Sequence, residues 1–237
     1  MIDARRLSRS YTGAGSRFTL ALDALTLPQG AFVAVAGPSG CGKSTLLGLL
    51  ALALAPDPAP AHDDVLRLDG QDALAMWRRN DANALATLRA RTMGFVPQTS
   101  ALLPFLTLRD NILLPQQIIG RVNVKFAETL ANWLRIDDIL HRRPAQVSVG
   151  QRQRAAIARA LAHRPSVVLA DEPTASVHPT QADEILGILT HVVRHTGAAL
   201  IISTHDPARA QAAGFSLAPC QPDPHAARTT FRWPPGG

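Results

Sequence analysis

A chain of 237 residues has room for one compact α/β domain with an inserted lobe, and two independent domains are the less economical reading. Hydrophobic residues make up 46% of it, which excludes a disordered chain and supports a sizeable core. The net charge of +6 would admit an anionic partner, but nearly all the basic residues are arginine and no basic run is interleaved with aromatics, so no nucleic acid partner is expected.

Along the chain, Phe18 to Leu27 is largely apolar, Pro28-Gln29-Gly30 reads as a turn, and Phe32 to Ala36 is a second apolar run, together a strand, turn and strand. A stretch of small residues, Gly37 to Thr45, follows. Leu46, Leu47, Leu49, Leu50 and Leu54 then recur at helical spacing, and Pro56, Pro58 and Pro60 end that helix. Val65–Leu68 before Asp69-Gly70 reads as a short strand, residues 72–91 as helix, and Met93–Val96 as another strand. Between Gln98 and Ser148 the pattern is mostly helical, with breaks at Pro104, Pro115, Gly120 and Pro144. A helix over Gln151 to His163 leads into the strand Val167–Ala170, a helix over 180–195 and a last core strand, Ala198–Ser203. Continuous apolar strands alternating with helices indicate an α/β fold whose parallel sheet is covered on both faces.

From Pro219 the sequence turns polar and proline-rich and reads as a C-terminal tail, with Thr229 to Trp233 a short edge strand. The longest apolar run, Leu46 to Ala55, falls short of the ~18 residues of a membrane span, and no secretion signal is read at the N-terminus. Cys41 and Cys220 give no disulfide framework. A crosslink at Cys41 would obstruct the small-residue stretch, so a reducing cytoplasm fits best.

That stretch, Gly37-Pro38-Ser39-Gly40-Cys41-Gly42-Lys43-Ser44-Thr45, fits G-x-x-x-x-G-K-[ST] between a predicted strand and a predicted helix, the context a phosphate-binding P-loop requires. Small residues let backbone N–H groups wrap phosphates, the helix N-terminus favours anions, Lys43 reaches the β and γ phosphates, and the Ser44 hydroxyl can ligate Mg²⁺. The strand Val167–Ala170 delivers Asp171 and Glu172 to the carboxyl edge of the sheet. Asp171 would hold Mg²⁺ through water, and Glu172 would orient or deprotonate the attacking water. A small-molecule kinase or a GTPase would share these parts. The deciding segment is Val147-Ser148-Val149-Gly150-Gln151, where a hydroxyl, a glycine N–H and a helix N-terminus make a second anion site. Two such sites far apart in one chain suggest that the second serves the nucleotide of another subunit, hence a homodimer.

On these motifs the chain resembles the ATPase subunits of ATP-binding cassette (ABC) transporters over about residues 1–210. The resemblance implies a P-loop NTPase core of RecA-like type with a small antiparallel β subdomain and an inserted helical subdomain. In these terms residues 1–97 and 156–218 form the core, 98–155 the helical subdomain and 219–237 the tail. Residues 147–151 match the family's signature, usually L-S-G-G-Q, whose Ser148, Gly150 and Gln151 would close over ATP held by a second copy. Val149 stands where the first glycine is usual, and His178 stands where the family has an aspartate that helps organise the dimer. Gln98, in Phe95-Val96-Pro97-Gln98, matches the glutamine that touches Mg²⁺ and the water. His205, in Ser203-Thr204-His205-Asp206, matches the histidine that contacts the γ phosphate. Tyr11 sits where the family stacks an aromatic on adenine, with Phe18 a rival.

Leu102 to Ile112 together with Arg143-Pro144-Ala145-Gln146 resembles the lipoprotein-release and macrolide-export branch, in which the ATPase dimer drives a separate membrane permease. That resemblance implies docking of a permease helix near Leu102–Leu108 and a location on the cytoplasmic face of the inner membrane. An importer ATPase or a soluble ABC-type ATPase acting on nucleic acid remains the alternative.

Overall fold

The computed structural model describes residues 2–13, 16–58, 63–175, 179–223, 226–231 and 233. Two long strands, β1 (Ile2–Gly13) and β2 (Ser16–Leu27), form an antiparallel ladder with Ile2 opposite Leu27 and Tyr11 opposite Phe18. The sequence gives little sign of β1 because arginines interrupt its apolar face; among its residues of described burial only Ile2, Ala4 and Leu7 are buried. β3 (Phe32–Ala36) follows and runs into the small-residue loop, after which α1 (Lys43–Leu50) begins. β4 (Val65–Leu68) pairs antiparallel with β1, and β5 (Gln71–Asp72) pairs antiparallel with β4.

The helix expected over 72–91 is two helices, α2 (Ala73–Arg78) and α3 (Ala82–Thr92). Each has its own aspartate N-cap: Asp72 accepts from the Ala75 N–H at 2.9 Å and Asp81 from the Ala84 N–H at 2.9 Å. Asn80, with φ of 55°, makes the bend between them. β6 (Met93–Val96) then leads to the helical lobe of α4 (Leu108–Ile118), α5 (Val124–Trp133) and α6 (Val149–Leu161). Pro115 does not break the lobe as expected but lies inside α4, which packs along α6 and buries Leu108, Ile112 and Leu113. The chain continues through β7 (Val167–Ala170), α7 (Pro179–Thr196), β8 (Ala199–Thr204), α8 (Pro207–Ala212), β9 (Ser216–Asp223) and β10 (Arg228–Phe231).

The strands join in the order β5-β4-β1-β2-β10-β9-β3-β8-β7-β6. The block β9-β3-β8-β7-β6 is parallel throughout. Its central strands β3, β8 and β7 are buried on both faces. Phe32 and Ala34 of β3, Val168 and Ala170 of β7, and Leu200 and Ile202 of β8 face the core made with α4 to α7. Their neighbours Val33, Val35, Val167, Leu169, Ala199 and Ile201 face the core made with α1 and the antiparallel strands. The expected edge strand and tail are corrected here. β9 continues to Asp223, and β10 is interior, parallel to β2 on one side and antiparallel to β9 on the other. Buried Phe231 and Thr229 hold it there, and the indole N–H of Trp233 donates to the Thr26 carbonyl at 3.1 Å.

Candidate active site

The parallel strands end together, so their carboxyl edge gathers residues distant in sequence. β3 opens directly into Gly37, whose N–H donates to the Thr204 carbonyl at the end of β8. Gly40 and Gly42 take φ of 81° and 98°, a backbone region that suits glycine, and no atom lies within 4 Å of where a side chain on Gly40 would begin. Pro38, Ser39 and Gly40 are exposed, and Ser44 is exposed at the first turn of α1, with Thr45 half-buried after it. This is a loop that can turn its N–H groups toward a phosphate at the N-terminus of a helix.

Lys43 is buried, and its ammonium donates to the Gly37 carbonyl at 2.9 Å and the Pro38 carbonyl at 3.1 Å. Glu172 Oε1 lies 3.4 Å from the same nitrogen, and Glu172 Oε2 lies 3.5 Å from His205 Nδ1. The loop lysine, the candidate base and the candidate switch histidine are therefore in direct contact, although they come from α1, the end of β7 and the end of β8.

Two bonds set the acids. Buried Ser203 donates its hydroxyl proton to Asp171 Oδ1 at 2.6 Å and accepts the Glu172 N–H at 2.8 Å. The Asp171 N–H donates to the Val96 carbonyl at 2.8 Å, pinning the end of β7 to the end of β6 just before Gln98. Glu172 has φ of 43°, an uncommon conformation for a residue with a side chain, held by these bonds at the point where its carboxylate meets Lys43. Ser203 escaped the sequence reading. Its signal was a hydroxyl at the end of an otherwise apolar run, Ala199 to Ile202, in the strand beside the two acids.

Gln98 is exposed on the loop that leaves β6. Arg159 of α6 fastens that loop by donating to the Ala101 carbonyl at 2.8 Å and the Ser100 carbonyl at 3.1 Å, and burial pushes its guanidinium below its usual pKa. Tyr11 and Phe18, directly opposite on β1 and β2, point to one face of the ladder, and the Phe18 ring abuts Gly42. The aromatic pair thus stands beside the phosphate loop.

Ser148 caps α6: its Oγ accepts the Gln151 N–H at 3.2 Å, while Gln151 Oε1 accepts the Ser148 N–H at 2.9 Å. Gln151 is thereby committed to its own helix start. Ser148 stays exposed, Gly150 is half-buried, and Val149 between them is 46% exposed. The start of the helix is open to the surface. His178 lies outside the described residues.

The residues suit Mg²⁺ with a nucleoside triphosphate. Among the described residues no cluster of three or more His, Cys, Asp or Glu could hold a metal alone. Ser44, Asp171 and Gln98 offer a few hard oxygens, which fits an ion that shares its coordination with phosphates and water.

The family model described as ABC transporter matches residues 22–175. The chain is 43% identical over 187 residues to the lipoprotein-releasing system ATP-binding protein LolD of Anaeromyxobacter dehalogenans, covering 77% of this chain and 74% of that protein. It is 35% identical over 213 residues to the ABC transporter ATP-binding protein YxdL of Bacillus subtilis, covering 89% of this chain and 79% of that one. Among solved structures, a dimeric post-hydrolysis state of the ATP-binding cassette MJ0796 bound to ADP and Pi matches with a TM-score of 0.80 at 28% identity, covering 92% of this chain and 94% of that one.

Proposed function

Because this chain belongs to the ABC transporter family, we propose that it is the ATP-hydrolysing subunit which, paired with a second copy, drives a separate membrane permease of the lipoprotein-release type. The observation that carries the proposal is the contact of Lys43 with Glu172, set by Ser203 at the carboxyl edge of the sheet. The likeness to LolD proteins supports the choice of branch.

The loop Gly37–Thr45 binds the phosphates through its N–H groups, and Lys43 leaves the Gly37 and Pro38 carbonyls to pair with the β and γ phosphates. Ser44, Asp171 and Gln98 would hold Mg²⁺, which when bound neutralises charge on the triphosphate. Release of Lys43 from Glu172 frees that carboxylate to accept a proton from the attacking water, while His205 turns from Glu172 to the γ phosphate. Tyr11 stacks the adenine, with Phe18 opposite it on β2 the rival for that place. Ser148 and Gly150 of the second copy close the site from outside, with Gln151 holding their helix start in shape and Val149 fitted between the two copies.

No helix among the described residues is long and apolar enough to cross a membrane, so the permease supplies the spans. The subunit works at the cytoplasmic face, where the permease presents a helix. Leu108 and most of its neighbours turn out to be core or half-buried, leaving Phe105, 68% exposed, as the projecting apolar residue of the Leu102–Leu108 segment. A separate cavity of about 130 Å³, lined by Phe95, Pro115, Ile118 and Arg159, opens between β6 and the C-terminal end of α4. Arg159 joins the wall of this cavity to the loop after Gln98.

The test is Glu172→Gln. Phosphate release falls at least 100-fold while ATP binding survives within a few-fold, since Lys43 and the loop Gly37–Thr45 that hold the phosphates are unchanged. Turnover near the wild-type rate would overturn the assignment of Glu172 as base.

A further inference from the structure

Cys41 lies in the phosphate loop and is only 6% exposed; Cys220 lies on β9 and is half-buried. β9 runs parallel to β3 with Pro219 opposite Ala36, which brings the next residue, Cys220, alongside Gly37 at the mouth of the loop. A side chain at Gly37 would collide with both cysteines. Its Cβ would stand 2.8 Å from Cys41 Sγ, 3.2 Å from Cys220 Sγ and 2.6 Å from Cys220 Cβ. Two sulfurs so close to one point are at most about 6 Å apart. The Cys220 thiol also points at the Cys41 carbonyl, 3.8 Å away. These are the only two cysteines of the chain, and the fold has brought them together across 179 positions.

We propose that Cys41 and Cys220 are a thiol–disulfide site: a low-molecular-weight disulfide oxidises them to an intramolecular bond that disables the phosphate loop, and reduction restores it. Cys220, the more exposed of the two, enters first. Its thiolate attacks one sulfur of the small disulfide, forming a mixed disulfide and expelling one small thiolate, which takes up the proton that Cys220 lost. The Cys41 thiolate then attacks the Cys220 sulfur, forming the Cys41–Cys220 bond and expelling the second small thiolate, which is protonated in turn. Two protein thiols are oxidised and one small disulfide is reduced to two thiols.

The bond requires sulfurs about 2 Å apart, so closure draws Cys41 toward β9 and against Gly37. The loop cannot then keep its N–H groups around a phosphate. Burial and the hydrogen bond with Cys41 push the Cys220 thiol up to about 12, with Lys43 acting in the opposite direction. The reduced pair therefore resists casual oxidation at neutral pH, and its exchange quickens as pH rises.

The inference rests on residues 37–45 binding ATP, and the experiment separates the two. The full chain is incubated with oxidised glutathione at pH 8.5, desalted, and compared with reduced and re-reduced samples. Non-reducing peptide mapping is expected to find Cys41 joined to Cys220 with no retained glutathione. ATP affinity measured by calorimetry is expected to fall at least 10-fold and to return with dithiothreitol. Prior saturation with ATP is expected to slow the crosslink. Cys220→Ala, and Cys220→Ser should the first variant fold poorly, are expected to bind ATP as the wild type does when reduced and to form no linked peptide. Absence of the linked peptide, or its presence with unchanged ATP affinity, overturns the proposal. A reduced wild-type protein that fails to bind ATP overturns the phosphate-loop reading instead, and this inference with it.

Discussion

Replacing Ser203 by alanine removes one hydroxyl and two bonds that set the acids of the site. The bond to the Asp171 carboxylate, 2.6 Å long and partly buried, belongs to the class worth about 1.5–3 kcal/mol, and the bond from the Glu172 N–H to the class near 1 kcal/mol. Solvent cannot replace them at a residue with no exposed surface, so folding stability is expected to fall by about 2–4 kcal/mol. Catalysis suffers separately. Glu172 sits at φ of 43° and loses the bond that holds its backbone there, so its carboxylate is free to leave the position facing Lys43. A loss of about 1.4–2.7 kcal/mol in positioning corresponds to roughly a 10- to 100-fold lower kcat. ATP affinity should change by less than about threefold, because the loop Gly37–Thr45 and Lys43 are untouched. Urea unfolding, calorimetric ATP titration and steady-state phosphate release measure the three quantities. A variant with kcat within twofold of wild type and clearly reduced stability would make Ser203 a structural residue only and refute its role in positioning Glu172.

Three other outcomes are expected. Buried Asn111 accepts the Leu103 N–H and donates to the carbonyls of Leu103 and Thr107, so Asn111→Ala should cost about 2–3 kcal/mol and loosen the segment carrying Phe105. Basal ATPase should change little while stimulation by the permease in vesicles falls severalfold. Phe105→Ala, which removes an exposed ring, should leave stability within about 0.5 kcal/mol and still weaken permease binding in a pull-down. His163 donates from Nε2 to the Met93 carbonyl at 3.0 Å, and burial lowers its pKa from the ordinary 6.5, with that bond opposing in part. The unfolded chain then binds more protons than the folded one below about pH 6.5, so this contribution is complete above that pH and drains as the pH falls through the lower folded value. Denaturant midpoints at pH 7.5 and 5.5 should therefore differ less for His163→Leu than for the wild type.

Sequence made the phosphate loop, the acid-ended strand and the signature legible because each is contiguous and its chemistry depends on spacing. The buried strands were legible for the same reason: Val167–Ala170 and Ala199–Ile202 are unbroken apolar runs that suit a sheet covered on both sides. What escaped was cooperation between distant segments. Ser203 gains its role only from the pairing of β7 with β8, and Cys220 meets Cys41 only because β9 lies next to β3. The C-terminal residues looked like a tail because Pro219, Pro222 and Pro224 discourage a central strand. Their strand nevertheless closes the sheet, since β10 supplies the hydrogen bonds between β2 and β9 and buries Phe231. Arginines hid β1 in the same way. Arg5 and Arg6 are exposed, whereas half-buried Arg9 follows Leu7 on the apolar face and donates to the Ala55 carbonyl at 3.1 Å.

The central claim is that the site is completed in trans, with Ser148 and Gly150 of one copy closing over the triphosphate gripped by Lys43 of the other. Sedimentation velocity of Glu172→Gln with saturating ATP measures this directly. The account predicts a dimer that reverts to monomer without ATP, and a monomer at every ATP concentration when Ser148→Arg is added, although that double variant still binds ATP. A Glu172→Gln protein that binds ATP yet sediments as a monomer, or one that dimerises equally well with Ser148→Arg, would contradict it.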